Sequence, residues 1–260
     1  MKSLQDTDMP LFRPVRYVLT DVDDTLTTHG KLYPETLQAL WDLHDAEYII
    51  ILVTGGSAGW ADTYLRQWPI DAVISESGAL AYYMNEGKRD VLYHPSIIRS
   101  GYKERADRFI ALVRSKIPES KLSSDQFCRL FDIAFDHHDE RPYMSQEGID
   151  AIKKLCQSEG LSYGVSSIHV NCWFGTYDKL SMVDLFMGQR YGLSPDEIRR
   201  ESIYCGDSAN DIPLFKSFPL SVGVGSVSSA SLAAEDRPVF CAEKEGGAGF
   251  VEMAKVLLDI

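Results

Sequence analysis

The sequence predicts an α/β fold, a parallel sheet with helices on both faces, interrupted by an inserted α+β unit. Two observations carry this. Short, wholly apolar runs at 15–20, 48–54 and 71–75 alternate with segments of helical period, and the same rhythm resumes after residue 175. Strands apolar on both sides belong in a parallel sheet buried on both faces. Between the two stretches, roughly 95–174, the grouping changes to one long helix, a strand, a second helix and a strand pair.

In chain order, the first run (15–20) leads through a polar loop to a helix over 34–46. Pro34 suits a first helical turn, and Leu37, Leu40, Trp41 and His44 recur at helical spacing. The run 48–54 follows, then a helix over 57–68 and the run 71–75. Segments 79–84 and 90–94, joined by Asn85-Glu86-Gly87-Lys88, predict a hairpin. In the inserted unit, 99–116 is an amphipathic helix with Tyr102, Ala106, Phe109, Ile110 and Val113 on one stripe. A strand over 128–136, a helix over 145–158 and two strands within 161–174 complete it. The α/β rhythm returns with a helix at 179–191, a buried strand at 202–205 and a helix at 209–217. Edge strands at 220–224 and 238–240 and a last helix over 247–258 follow. The expected division is therefore 1–94 with 175–260 as a core domain, and 95–174 as an inserted domain. No internal repeat or low-complexity tract interrupts this pattern.

The chain has 260 residues, 45% hydrophobic and 25% charged, enough apolar material for a sizeable core. Its net charge of −12 argues against nucleic acid or an anionic membrane as partner. An anionic substrate would need a locally inverted potential, such as a bound cation supplies. The five cysteines (Cys128, Cys156, Cys172, Cys205 and Cys241) are odd in number and form no C-x-x-C pair, which points to a reducing cytoplasmic compartment. Residues 1–14 lack the apolar core of a signal peptide, and no stretch reaches the ~18 apolar residues of a membrane span.

The chemistry concentrates where apolar runs end. Asp21-Val22-Asp23-Asp24-Thr25-Leu26-Thr27 follows the first run. Residues i and i+2 of an extended chain point the same way, so Asp21 and Asp23 project to one side past the strand end. Carboxylates that close repel unless a cation or a shared proton intervenes. Gly206-Asp207-Ser208-Ala209-Asn210-Asp211 repeats the layout: a buried strand, a glycine for a tight turn, then an acid at the strand end. Asp211, four residues on, faces the same cavity if the helix begins there. Asp21, Asp23, Asp207 and Asp211 would form a hard oxygen cage with few protein ligands, which suits Mg2+. Thr54-Gly55-Gly56-Ser57 ends one strand and opens a helix, so its N–H groups and the Thr54 hydroxyl can hold an anion. Lys179 can offset phosphate charge as a point cation, and Asn210 offers an amide beside Asp207.

With these four motifs in order, the chain resembles the haloacid dehalogenase-like (HAD) hydrolase superfamily. The stretch between Thr54 and Lys179 lies where that superfamily's type II caps occur, and its pattern resembles type IIB, the Cof-like and sugar-phosphate phosphatase branch. Glu76-Ser77-Gly78-Ala79 resembles that branch's Glu-Asn-Gly-Ala with Ser for Asn, and position 56, often Arg in Cof-like members, is Gly. The resemblance implies a Rossmann-like core and a magnesium-dependent phosphatase acting on a small phosphorylated metabolite, a sugar or polyol phosphate. It implies Asp21 as nucleophile, forming an aspartyl-phosphate, and Asp23 as acid and then base. It implies metal held by Asp21, the Asp23 carbonyl and Asp207, with Asp211 as ligand or support. Thr54, Gly55, Lys179 and Asn210 would bind the phosphoryl group.

Two other readings stay open at this point. A phosphosugar mutase would return phosphate to a second hydroxyl, although the compact 206–211 motif is closer to the hydrolase form. A non-enzymatic phosphorylatable receiver shares clustered acids, a Thr and a Lys, but is much shorter. His137-His138-Asp139 invites a metal reading, yet adjacent histidines on a strand face opposite ways. His169 and Asn171 alternate onto one face, available to substrate hydroxyls or simply buried. Trp173 reads as packing, and Gly246-Gly247-Ala248-Gly249 as a turn into the last helix rather than a dinucleotide loop.

Overall fold

The computed structural model describes residues 1–4, 9–228 and 232–259; part of the polar stretch 1–14, residues 5–8, lies outside them. The strands are β1 (Lys2–Ser3), β2 (Tyr17–Thr20), β3 (Ile49–Val53), β4 (Ala72–Ser75), β5 (Leu80–Asn85), β6 (Lys88–Tyr93), β7 (Lys121–Leu122), β8 (Asp132–Asp136), β9 (Ser162–Val165), β10 (His169–Trp173), β11 (Ser202–Gly206), β12 (Ser221–Gly223) and β13 (Phe240–Cys241). The helices are α1 (Pro34–Asp45), α2 (Ala58–Gln67), α3 (Tyr102–Lys116), α4 (Gln146–Glu159), α5 (Lys179–Tyr191), α6 (Pro195–Glu201), α7 (Ile212–Ser217) and α8 (Gly246–Leu258).

Nine strands form one sheet in the order β1-β13-β12-β11-β2-β3-β4-β5-β6, parallel from β1 through β4. The β5–β6 hairpin extends it antiparallel. Its turn has Glu86 at φ 49° and Gly87 at φ 76°, the left-handed pair that matches hairpin twist. Successive residues of the central strands go to opposite faces. Val18, Ile50, Leu52 and Ile203 pack with α1, α2 and α8 on one side. Leu19, Ile51, Val53 and Tyr204 pack with α5, α6 and α7 on the other. That two-sided burial is why these runs are apolar without alternation.

The second sheet, β7-β8-β10-β9, is antiparallel throughout. It has its own core of Phe109 and Val113 from α3, Ile149 and Ile152 from α4, and Phe135 and Val170 from the sheet. The sequence places it between β6 and α5, so it is an insertion into the larger unit.

Several elements depart from the sequence reading. The strand expected from residue 128 starts only at Asp132, because Gln126–Cys128 is a 3-10 turn. Next to it, the N–H groups of Leu130 and Phe131 donate to the Glu76 carboxylate rather than to a neighbouring strand. The strands expected as edges at 220–224 and 238–240 are interior, because β1 flanks β13. Helix α6 was not anticipated, although Ser194, Pro195 and Glu197 form a capping box with proline in the first turn. The helix expected from 209 begins as a 3-10 turn, Ala209–Asp211, before α7.

Candidate active site

Four polar residues each stand one position past a parallel strand: Asp21 after β2, Thr54 after β3, Glu76 after β4 and Asp207 after β11. Parallel register sets these ends side by side. Thr20 pairs with Cys205 and with Leu52, and the Asp21 N–H donates to the Cys205 carbonyl at 2.9 Å. The polar groups therefore gather in the crevice beyond the carboxyl ends, where open α/β sheets bind ligands.

Lys179 comes to this cluster from the first turn of α5. Asp178 caps that helix, accepting the Ser181 N–H at 2.7 Å while its own N–H donates to the Ser181 hydroxyl. Gly78 makes the approach possible: at φ +106° it lies so close to α5 that a Cβ would fall 2.2 Å from the Asp178 carbonyl oxygen. The Lys179 ammonium, 4% exposed, contacts Asp21 Oδ1 at 3.1 Å and Asp211 Oδ1 at 2.7 Å. Carboxylate oxygens of Asp21, Asp207 and Asp211 all lie within 4.8 Å of one another.

The Asp211 carboxylate is fully engaged. Oδ1 accepts from Lys179 and from the Tyr204 hydroxyl at 2.6 Å; Oδ2 accepts the N–H groups of Asp207 and Ser208. Gly206 provides the space, since a Cβ there would meet Asp211 Oδ2 at 2.6 Å. A carboxylate offers about four lone-pair sites, so Asp211 is occupied as a support that shapes the Asp207 turn and holds Lys179. Among the described residues, Asp207 accepts from Thr25 alone, at 3.3 Å. The Asp23 carboxylate is not part of the three-carboxylate group.

The electrostatics follow from burial. Removal from water pushes Asp21 up to about 7, with Lys179 pulling the other way and Asp211 and Asp23 adding repulsion. Burial, then Asp24, pushes Asp23 up to about 6, while Arg129 and Lys179 oppose this. Asp207 is raised by burial and by Asp211 and Asp21. Around one ammonium, three clustered acids leave an excess of hard, negatively charged oxygen. That donor set fits a small divalent cation that takes oxygen ligands.

Thr54 is 1% exposed, and its hydroxyl oxygen accepts the Gly56 N–H at 2.9 Å. Its own proton is then available to an anion in the crevice. The Asn210 side-chain carbonyl accepts from Ser208 at 2.7 Å, and its amide protons, which meet no acceptor among the described residues, can serve the same use. Lys179 and Asn210 line a cavity of about 830 Å³, which Lys153, Tyr163 and Trp173 of the second sheet and its helices border from the other side. Asp23 borders a separate cavity of about 320 Å³ with His138, Asp139 and Tyr143.

A family model described as haloacid dehalogenase-like hydrolase matches residues 18–116. Over this stretch, which holds Asp21, Asp23 and Thr54, the chain is similar to haloacid dehalogenase-like hydrolases. The architecture, with the second sheet inserted between the Thr54 and Lys179 segments, is similar to that of solved structures along nearly the whole chain. A protein from Thermoplasma acidophilum designated 0175 is similar in fold over 94% of this chain and 99% of its own, with a TM-score of 0.72 at 18% identity. A phosphatase of the HAD superfamily from Bacteroides thetaiotaomicron matches over 94% of both chains, with a TM-score of 0.63 at 18% identity. The sucrose-phosphatase of Synechocystis sp. PCC6803, solved with sucrose and phosphate, matches over 93% of this chain and 97% of its own, with a TM-score of 0.61 at 18% identity. A comparison with curated protein sequences gave no match.

Four residues of the site leave little trace in the sequence. Glu76 was noted only within a motif, yet it is fully buried and accepts three backbone N–H groups, from Ala58, Leu130 and Phe131. Arg129 forms a buried ion pair with Asp132, the first residue of β8. Tyr204 holds Asp211. The Asp125, Arg129, Asp132 spacing of i, i+4 and i+3 was the one local signal. Among the other residues singled out earlier, Asn171 donates to the Gly55 carbonyl and to Asp132. The His138 ring stacks on Tyr143, and no histidine joins a potential metal group among the described residues.

Proposed function

We propose that this protein is a magnesium-dependent phosphatase for a small phosphorylated metabolite of the sugar or polyol phosphate class. The observation that carries the reading is the meeting of Asp21, Lys179, Asp207 and Asp211, from three segments of the chain, beside a cavity large enough for a phosphosugar. The similarity in fold to a sucrose-phosphatase and to a trehalose-6-phosphate phosphatase related protein supports the substrate class. In this reading residues 95–174 are a cap over a core made of 1–94 and 175–260.

Asp21 is the nucleophile: a carboxylate oxygen attacks phosphorus and the bond to the leaving alkoxide breaks. Asp23 donates a proton to that alkoxide, then takes one from the water that cleaves the aspartyl-phosphate. Its pKa near 6 suits a group that both gives and takes a proton close to neutral pH. Lys179, the Thr54 hydroxyl, the turn at Gly55 and the Asn210 amide hold the equatorial oxygens, where transition-state charge is spread. Asp21, the Asp23 backbone carbonyl and Asp207 would hold magnesium, with Asp211 in support; the ion, when bound, neutralises charge on phosphate and carboxylates.

The test is phosphate release from p-nitrophenyl phosphate and from a panel of sugar, polyol, nucleotide and glycerate phosphates. Activity should need magnesium, vanish with EDTA and vanish in Asp21→Asn. Full turnover by purified Asp21→Asn would remove the nucleophile from the scheme.

A further inference from the structure

We infer that Arg129 is a positioning residue: from the inserted domain it fixes the Gly55–Gly56 peptide, and through it the Thr54 hydroxyl. The inference rests on the phosphatase reading of the same site and names a device that reading does not contain. Arg129 has a fully buried side chain. Its Nη1 donates to the Gly55 carbonyl at 2.9 Å and to Asp132, while Nε and Nη2 donate to Asp125. Asn171 on β10 donates to the same Gly55 carbonyl at 3.1 Å and to Asp132 Oδ2 at 2.7 Å. Two donors from the inserted domain thus converge on one carbonyl oxygen of the core, and a buried carboxylate orients both.

The consequence follows from peptide geometry. The Gly55 carbonyl and the Gly56 N–H belong to one planar unit and point in opposite directions. Holding the oxygen holds the N–H, and that N–H donates to Thr54 Oγ1. With a lone pair of Oγ1 so engaged, the hydroxyl proton is directed away from Gly56 and toward the crevice. Glycines at 55 and 56 leave this peptide free to rotate, so the constraint has to come from outside the turn. The next peptide is held as well: Glu76 N–H donates to the Gly56 carbonyl, and the Glu76 side chain accepts from Leu130 and Phe131, the neighbours of Arg129. Docking of the 129–132 segment and correct orientation of Thr54 are therefore one event, and the site is complete only with the inserted domain seated.

A double-mutant cycle in kcat for p-nitrophenyl phosphate with magnesium tests this. Thr54→Val removes the hydroxyl. The pair Arg129→Gln with Asp132→Asn removes the clamp without leaving a bare buried charge between those two residues. In the Thr54 background the clamp variant should lose about ten-fold in kcat, with KM changed far less, as expected for misplacement rather than lost binding. In the Thr54→Val background the same change should cost less than about two-fold, since the group it positions is gone. Asn171→Ala keeps every Arg129 ion pair and should show the same non-additivity at a few-fold; it decides the matter if the clamp variant does not fold. A merely structural Arg129 would lower the melting temperature and give equal factors in both backgrounds, which would overturn the inference. If the wild type releases no phosphate, the phosphatase reading fails by itself. The same cycle in affinity for inorganic phosphate, measured by calorimetry, then supports the inference if non-additive and overturns it if additive.

Discussion

At the scale of single residues, Asp207 and Asp211 look alike in the sequence but differ in the fold. Asp211 spends its carboxylate on Lys179, Tyr204 and two N–H groups, whereas Asp207 has one long contact with Thr25. Opposite phenotypes should follow. Asp207→Asn should leave the apo protein stable, or slightly more so because repulsion falls, and raise the magnesium needed for half-maximal activity at least ~10-fold. Asp211→Asn presents an amide to groups that are all donors, so it should cost about 3 kcal/mol of stability with or without magnesium. Chemical denaturation of both variants, with and without EDTA, checks this; equal metal dependence of the two would contradict the division of labour. Gly78 is a further single-residue test. A methyl group at φ +106° and 2.2 Å from a backbone oxygen has no flexible neighbour to move, so Gly78→Ala should destabilise by about 2 kcal/mol or more and displace Lys179.

At the scale of elements, the 76–79 turn and the 129–132 segment are held together by Glu76. Burial, and after it the nearby Asp132, pushes Glu76 up to about 8 against three N–H donors. A carboxyl raised from 4.5 contributes stability that is complete below the unfolded value and is lost as pH rises through the folded one. Between about pH 5 and 8 the wild type should therefore lose stability relative to Glu76→Gln, by up to ~1.4 kcal/mol per pH unit from this one proton. The denaturation midpoint of the wild type should fall steadily against that of Glu76→Gln as pH rises across that range; parallel profiles would mean that Glu76 keeps its charge throughout. This element also shows what a sequence hides. Asp21, Thr54 and Asp207 were legible because a strand end is a local pattern, an apolar run followed by a polar residue. Glu76 follows β4 in the same way, but two of its three N–H partners, Leu130 and Phe131, lie more than fifty residues on, and no spacing within the chain reports them. The 128–131 segment departs from its pattern for the same reason: its composition suits a strand, but the N–H groups of Leu130 and Phe131 answer a carboxylate from elsewhere. Helix α6 was a different omission, because its capping residues were in plain view.

At the scale of the whole molecule, two separately cored units meet over a crevice with more acid than base. The α/β rhythm and the inserted α+β grouping were legible because two-sided burial and amphipathic stripes leave periodic traces. The polar part of the contact between the units left almost none, since it is made by single residues far apart in the chain. The surplus of buried acid yields a prediction that does not depend on turnover. The folded state brings Asp21, Asp207 and Asp211 within 4.8 Å, whereas the unfolded chain separates them, so a divalent cation should bind the native state almost exclusively. Stability should rise as RT ln(1 + [L]/Kd), about 2.7 kcal/mol at a hundred-fold excess over Kd. Magnesium should raise the melting temperature by several degrees in a concentration-dependent way, and EDTA should reverse it. Asp207→Asn should remove most of the shift, while Asp62→Asn, whose carboxylate pairs with Arg66 and Arg89 away from the crevice, should retain it. An equal shift in both variants would mean that the ion acts elsewhere on this acidic surface and not at the ends of β2 and β11.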